Sequence, residues 1–207
     1  MSTISLCIIV KNEEIHIARC LNSVAELVDE IIIVDTGSTD RTIEIVSNYT
    51  RKVYSYPWKD DFADARNYSF SHASMDYCMW MDADDILEEA EKDKFLQLKY
   101  SISPDTDMVM MKYNTSFDEA GKPSFSYFRE RWIRNSGEYR WIGAVHEVIP
   151  PKGKILYSDI AISHKKMTAG EPDRNLKIYQ KMIVTGKPLD ARQQYYYFFA
   201  FLLFQIR

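Results

Sequence analysis

Three carboxylates, Asp82, Asp84 and Asp85, directly follow the apolar run of residues 77–81. Such a run predicts a strand buried on both faces, and unpaired charges at its end would be costly near a dry core. In open α/β sheets ligands bind at the carboxyl ends of strands, and clustered oxygens suit Mg²⁺ or Mn²⁺. The pattern therefore favours a divalent-cation site. The alternative is a solvated acidic turn in which Asp84 or Asp85 caps the next helix.

Two further polar clusters follow predicted strands. One is Val10-Lys11-Asn12-Glu13, and the other is the turn at 35–38, which contains Asp35 and Gly37. Asp35 could accept hydrogen bonds from a base or ribose, and Gly37 would let the backbone approach a ligand. Each cluster alone could be an ordinary polar loop. Together with the acidic cluster they would meet at one sheet edge, in a crevice that suits a nucleotide plus a cation.

Arg66 lies on a predicted helix, five residues after Asp61. One interpretation is a solvent-facing ion pair between these two residues. The other is that Arg66 and Asn67 lie beside the crevice and hold a diphosphate or the acidic cluster.

His146 and Glu147 form a pair with aromatic residues on its N-terminal side. Glu147 could act as a base in a dry cleft, and Trp132 and Trp141 offer ring faces that suit the C–H faces of a sugar. The alternative is an edge strand with Glu147 in solvent. The pair is not a zinc-peptidase motif, because no second histidine follows four residues later. A separate histidine, His164, would be a reasonable third ligand for a Mn²⁺-like ion.

The elements that must position these residues alternate between strand and helix. Apolar strands are predicted at 6–10, 31–34, 53–56 and 77–81, with helices between them, which argues for a parallel sheet covered by helices. Beyond about residue 98 the alternation loosens. Strands are predicted at 108–113 and 124–133 and around 141–143 and 160–162, and the pattern from 172 onward is purely helical.

The last helical run, residues 195–204, is apolar and rich in aromatics. Its length of about ten residues is half of the roughly 20 that are needed to span a bilayer, so we expect a packed helix rather than a membrane anchor. Since the chain ends directly after it, we expect self-association or a continuation of the chain to cover these rings.

Composition narrows the class of protein. The chain has 207 residues and a net charge of −4 with interspersed signs, which does not favour a nucleic-acid partner. Its three cysteines are odd in number and far apart, so we expect buried free thiols in a reducing compartment rather than disulfides. The N-terminus lacks the features of a signal peptide. We therefore expect a cytoplasmic protein, with peripheral contact to the inner membrane face as an option.

Four segments, residues 8–14, 33–42, 65–67 and 82–85, together resemble the family 2 glycosyltransferases with the GT-A fold in order and spacing. The likeness covers roughly residues 4–164. The later segment that contains Arg129, Gly143, His146, Glu147 and His164 looks like the subgroup in which helical, tetratricopeptide-like repeats follow the transferase.

The resemblance implies an α/β fold: a Rossmann-like, mostly parallel central sheet flanked by helices, with a C-terminal helical extension. It divides the chain into a transferase domain at 1–170 and a C-terminal extension at 171–207. If the sequence is a fragment of a longer chain, this extension is truncated. Within the domain, residues 1–98 would bind the nucleotide and residues 99–170 the acceptor.

The resemblance also implies roles for single residues. Asp82 and Asp84 would be the Asp-x-Asp pair that binds ribose and a Mn²⁺ or Mg²⁺ ion bridging the diphosphate, with His164 as a further ligand. Glu147 is our prediction for the catalytic base, and His146, Trp132 and Trp141 for contacts to sugar or acceptor. The nucleotide-sugar would be bound by a larger set: Val10, Asn12, Glu13, Asp35, Gly37, Arg66, Asp82 and Ala83.

The predicted activity is therefore metal-dependent transfer of a sugar from a nucleotide-sugar, UDP-linked by expectation, to a saccharide, lipid-linked or peptide acceptor with inversion. Two alternatives are a nucleotidyltransferase that uses the same crevice and a non-catalytic carbohydrate-binding module. The Asp-Thr-Gly-Ser of residues 35–38 also spells an aspartic-peptidase signature. Such enzymes need two such loops on a β-rich frame, whereas here one copy leads into a helix.

Overall fold

A computed structural model describes residues 1–165, 167 and 173–205. Its strands are β1 (Ile4–Val10), β2 (Glu30–Asp35), β3 (Val53–Ser55), β4 (Tyr77–Trp80), β5 (Asp85–Leu87), β6 (Met108–Phe117), β7 (Pro123–Arg134) and β8 (Ile155–His164). Its helices are α1 (Ile17–Val24), α2 (Thr42–Val46), α3 (Phe62–Phe70), α4 (Glu89–Ser101), α5 (Arg174–Val184) and α6 (Ala191–Gln205).

The eight strands form one sheet in the order β3-β2-β1-β4-β7-β6-β8-β5. The pairs among β3, β2, β1 and β4 are parallel, as are β6 and β8, while β7 and β5 run antiparallel to their neighbours. Four of the seven pairings are thus parallel, which confirms the predicted α/β class with a mostly parallel sheet. Parallel β1, β2 and β4 bring their carboxyl ends to one edge, where the polar clusters lie.

The main hydrophobic core lies between the sheet and helices α1 and α4. Helix α1 contributes Ile17, Cys20, Leu21 and Val24 at the spacing of one helix face, and all four are buried. All three cysteines are free and buried, as predicted. This packing fixes the strand ends that carry the site.

The two predicted halves of the domain share this one sheet, because β6, β7 and β8 join the strands of residues 1–98. The boundary at residue 98 falls within α4, and the boundary between 170 and 171 lies outside the described residues. This division of the chain stays a prediction.

The C-terminal extension is helical, as predicted. Helices α5 and α6 pack on each other and, through Ile178 and Tyr179, on Ala144 and Val145 of the domain. Among the described residues no helix is both long and apolar enough to cross a bilayer. Repeats of the tetratricopeptide type stay a prediction.

Candidate active site

A cavity of about 880 Å³ opens at the carboxyl ends of β1 and β4 and is closed on one side by α5. Its wall brings together most of the predicted site residues. They are Val10, Asn12, Glu13, Arg66, Asp82, Ala83, Asp84, His146, Glu147 and His164.

Four side chains in or beside this cavity could hold a cation. Single ligand atoms of Asp82, Asp84, Asp85 and His164 all lie within 4.8 Å of one another. Burial raises the pKa of Asp84, and the charges of Asp82 and Asp85 raise it further against the effect of His164. Carboxylates that repel one another in this way, next to an imidazole, are a donor set that fits a divalent cation such as Mn²⁺ or Mg²⁺.

Neither Asp84 nor Asp85 caps a helix, which corrects one of the two interpretations of the acidic cluster. Helix α4 begins later, with Glu88 at its N-cap position, and Asp85 opens the short strand β5 with a fully buried side chain. Its carboxylate accepts hydrogen bonds from Tyr113 Oη at 2.8 Å, from Arg131 Nη1 at 3.1 Å and from the backbone N–H of Asp82 at 3.0 Å. Asp85 therefore anchors the turn that carries the other two carboxylates.

His164 is held by the same network. Its Nδ1 lies 3.1 Å from Oδ1 of Asp85, 2.9 Å from Oη of Tyr113 and 3.3 Å from Oδ1 of Asp84. The hydrogen bond to Asp85 raises the pKa of His164 in spite of partial burial. Because a carboxylate only accepts, Nδ1 carries the proton toward Asp85, and this leaves Nε2 as the lone-pair donor of the neutral ring.

Arg66 joins two parts of the site. Its Nη2 donates to Oδ1 of Asp82 and its Nε to Oε1 of Glu147, each at 2.6 Å. The guanidinium lies 4.7 Å from the ring centre of Trp80 and 5.0 Å from that of Trp141. Burial opposes ionisation of Asp82, but the charge of Arg66 outweighs it and lowers the pKa of Asp82 to about 2.

The interpretation of Arg66 and Asp61 as a solvent-facing ion pair is therefore wrong. Asp61 is the N-cap of α3 and accepts a hydrogen bond from the backbone N–H of Asp64 at 3.0 Å. Arg66 is buried and holds the acidic cluster through Asp82, as the second interpretation has it for this residue. Asn67 does not hold the cluster, since its side chain hydrogen-bonds the backbone of Trp141 at 3.0 Å.

Glu147 lies on a loop rather than on an edge strand. The strand predicted around 141–143 is reduced to an isolated bridge between Ile142 and Val148. Between them Gly143 has a φ of +93° and His146 a φ of +53°, values that extended strands do not adopt. The side chain of Glu147 is mostly buried on the cavity wall, not in solvent.

Four predicted site residues do not line the cavity. Asp35 accepts hydrogen bonds from the backbone N–H groups of Gly37 at 3.2 Å and Ser38 at 3.0 Å, so its carboxylate closes its own turn, and Gly37 adopts a φ of +108° within it.

Trp132 is fully buried in the main core, 4.9 Å from the ring of Phe95. Trp141 is also buried and packs on Trp80 and Arg66. Neither tryptophan presents a face to a sugar in this structure.

Two features of the cavity were missed from the sequence. Trp80, which reads only as part of an apolar strand, has the guanidinium groups of Arg66, Arg129 and Arg131 within 4.7 Å of its ring centre. Helix α5 lines the opposite wall through Arg174, Lys177, Ile178 and Lys181. Their spacing of three and four residues was the available signal that one helix face is shared.

The chain is similar to known proteins in sequence and in fold. A family model described as "Glycosyl transferase family 2" matches residues 5–159. The SPbeta prophage-derived glycosyltransferase SunS of Bacillus subtilis is 34% identical over 152 residues, which cover 70% of this chain and 34% of SunS. A TPR repeat-containing protein of Synechococcus elongatus is 33% identical over 149 residues, which cover 72% of this chain and 36% of that protein. The chain thus spans about a third of the length of these curated relatives.

Among solved structures, residues 1–349 of S. aureus TarS in complex with UDP-GlcNAc align with a TM-score of 0.56 and 17% identity. The alignment covers 88% of this chain and 66% of the TarS chain. At this identity the likeness shows the GT-A type of fold and nothing more.

Proposed function

The chain belongs to glycosyl transferase family 2, and from that premise we propose that it transfers a sugar from a nucleotide-sugar to an acceptor nucleophile. The observation that carries the proposal is the convergence of Asp82, Asp84 and His164 beside the Arg66–Glu147 ion pair in one cavity. A cation site next to a buried carboxylate suits a reaction with an anionic leaving group and a weak nucleophile.

Asp82, Asp84 and His164 are the residues that would hold a divalent cation. When bound, the cation would supply positive charge at the diphosphate as the nucleoside diphosphate leaves. Asp85 and Arg66 hold these ligands in place, since each is buried and bonded to a member of the set. We propose Mn²⁺ or Mg²⁺, because the donors are mainly hard oxygens.

The donor would lie along the β1 end of the cavity. Val10, Asn12 and Glu13 line that wall and Ala83 lies between the two carboxylates, which supports base and ribose contacts there. For Asp35 and Gly37 we propose an indirect role, because they shape the neighbouring turn. The TarS structure was solved with UDP-GlcNAc, and a UDP-sugar is the donor that we propose.

Glu147 is the proposed base. Its Oε1 accepts a hydrogen bond from Nε of Arg66 at 2.6 Å, and the residue lines the cavity. A carboxylate held in this way can take the proton of an acceptor hydroxyl while the sugar is displaced in one step, which inverts the anomeric centre. Saccharide, lipid-linked and peptide acceptors all offer such a nucleophile.

The cellular location of the protein and the coverage of its last helix are also proposals. Three free, buried cysteines support a reducing, cytoplasmic location, with peripheral contact to the inner membrane face as an option. The exposed aromatics of α6, among them Phe198 and Phe199, support coverage by a second copy or by further chain. Residues 1–170 and 171–207 remain the proposed transferase domain and its extension.

The test is a panel of sugar nucleotides incubated with the purified protein, with and without Mn²⁺, with release of nucleoside diphosphate as the readout. We expect metal-dependent release from at least one donor and its loss in Asp84→Asn. Asp118→Asn, on the exposed β6–β7 turn, is the matched control.

Three other results would each contradict the proposal. Pyrophosphate release from a nucleoside triphosphate would indicate a nucleotidyltransferase. Sugar binding that is indifferent to metal and to Asp84→Asn would indicate a carbohydrate-binding module. Failure of every donor with every metal would refute the proposal as a whole.

A further inference from the structure

The loop that carries Glu147 is packed against α6 of the C-terminal extension. The imidazole of His146 stacks on the ring of Tyr196, with centroids 3.9 Å apart and planes 19° from parallel. Three residues earlier, Gly143 makes room for the helix: a Cβ there would lie 3.0 Å from Nη2 of Arg192 and 3.3 Å from Nε2 of Gln193. The extension and the loop are therefore in close contact at two points.

The same loop is fixed from the domain side at separate positions. The carbonyl of Ala144 accepts a hydrogen bond from the backbone N–H of Phe62 at 2.8 Å, and the carbonyl of Glu147 accepts one from Nη2 of Arg129 at 3.2 Å. His146, between these two anchors, has a positive φ, which is uncommon outside glycine and persists where the surroundings impose it. The Tyr196 ring meets the His146 side chain face to face, and the ring of Tyr179 on α5 lies nearly parallel to the imidazole at a longer centroid distance of 6.4 Å.

We propose that α6 is a working part of the active site and that Tyr196 is a positioning residue for Glu147, acting through His146. Glu147 is in turn held by Arg66, whose second bond, to Asp82, does not involve the loop. The proposal rests on the proposed function in one respect, the role of Glu147 as the base. The proposal gives the C-terminal extension a part in catalysis, in addition to any contact that it makes with a second copy or with further chain.

Three variants test the stack. Tyr196→Ala removes the ring, Tyr196→Phe keeps it, and Phe199→Ala removes an exposed ring of the same helix. Because a misplaced catalytic group slows chemistry without weakening donor binding, Tyr196→Ala should lower kcat by about tenfold to a hundredfold with the KM for donor within about twofold. Tyr196→Phe and Phe199→Ala should retain the wild-type kcat.

A second measurement needs no substrate. The bridge amides of Ile142 and Val148 hydrogen-bond each other's carbonyls at 2.9 and 3.1 Å across the loop. Hydrogen exchange at these two amides should be about tenfold faster in Tyr196→Ala than in the wild type, and unchanged in Tyr196→Phe. If Tyr196→Ala does not fold, His146→Asn removes the stack from the other side, at a φ that asparagine tolerates.

The outcomes separate the two proposals. Unchanged exchange at Ile142 and Val148 in a folded variant that lacks the stack would overturn the positioning role, whatever the activity. Faster exchange with an unchanged kcat would overturn it as well. If the wild type released nucleoside diphosphate from no sugar nucleotide, the proposed function would fail, while the exchange comparison would still decide whether α6 orders the loop.

Discussion

Oδ1 of Asp85 lies 3.1 Å from Nδ1 of His164, so the last carboxylate of the acidic cluster orients the imidazole that completes it. The contact follows from strand pairing, because β5 and β8 run antiparallel with Asp85 directly opposite His164. Arg131 balances the buried charge of Asp85. A carboxylate placed in this way fixes the ring and its tautomer, which suits the role that we propose for His164 as a cation ligand.

We predict that Asp85→Asn lowers Mn²⁺ affinity by about tenfold to a hundredfold, the usual cost of losing such a supporting partner. Isothermal titration with Mn²⁺ measures it. Because the substitution also leaves Arg131 without its counter-charge, Tyr113→Phe serves as the milder variant. It removes the hydroxyl that donates to Asp85 and lies 2.9 Å from Nδ1, without unbalancing a charge. Unaltered Mn²⁺ affinity in folded Asp85→Asn would show that Asp85 supports only the fold.

Arg66→Lys should lower kcat/KM for the donor by about tenfold or more. Lysine keeps the charge but cannot reach Asp82 and Glu147 with two N–H groups in a fixed fork, and a lost hydrogen bond between charged groups costs roughly 1.5–3 kcal/mol. The readout is steady-state release of nucleoside diphosphate. Arg41→Lys is the matched control, since Arg41 makes an exposed pair with Glu44. Equal kcat/KM in Arg66→Lys and Arg41→Lys would refute the bridging role of Arg66.

The strands and the residues at their ends could be predicted from the sequence because the information is local. An apolar run such as residues 77–81 is buried whichever neighbour it pairs with, and parallel strands bring their carboxyl ends together. Asp82 and Asp84 could therefore be predicted to lie at the crevice without knowledge of the strand order. The local pattern left Arg66 between two interpretations, and only the family resemblance implied a place beside the diphosphate. The cap interpretation of Asp85 fails because the short strand β5 forms through pairing with β8, in which the partner of Asp85 is His164, 79 residues later in the chain.

The part of the site that is built from residues beyond 98 depends on contacts between distant residues, which one sequence does not reveal. Trp132 was predicted to face a sugar, but β7 is covered on both faces at that point and the ring lies in the core. The strand predicted around 141–143 fails at Gly143 and His146, which adopt positive φ values and contact α6. Nothing in the local pattern of residues 141–148 indicates a partner about fifty residues away.

Away from the cavity, Glu30 should make stability depend on pH in the acid range. Burial raises its pKa, but hydrogen bonds from Lys52, Ser5 and Ser74 outweigh that effect and lower the pKa from its ordinary 4.5 to about 2. The folded-state pKa is thus below the unfolded one. The contribution, on the order of 3 kcal/mol, is fully present above about pH 4.5 and is lost as the pH falls toward 2.

Urea unfolding of Glu30→Gln between pH 2 and pH 7 tests this expectation. The free energy of unfolding of the variant should fall below that of the wild type at pH 7, and the gap should close toward pH 2. Glu89→Gln changes a mostly exposed carboxylate and should leave the wild-type profile intact. A gap between Glu30→Gln and the wild type that stays constant across this range would contradict the assignment.

Glu147→Gln separates the proposed base from a purely structural carboxylate. Glutamine retains an oxygen that can accept the hydrogen bond from Nε of Arg66, so the loop and Asp82 should keep their places. What is lost is the capacity to take a proton, and removal of a general base typically costs a factor of about 10²–10⁴ in rate. We expect kcat to fall by that factor while the Kd of the donor, measured by titration in the presence of Mn²⁺, changes by less than about threefold.

Glu138→Gln, on the exposed turn that precedes the same loop, should match the wild type in both quantities. If Glu147→Gln kept more than about a third of the wild-type kcat, another base would have to take the proton of the acceptor, and the role left for Glu147 would be to orient Arg66.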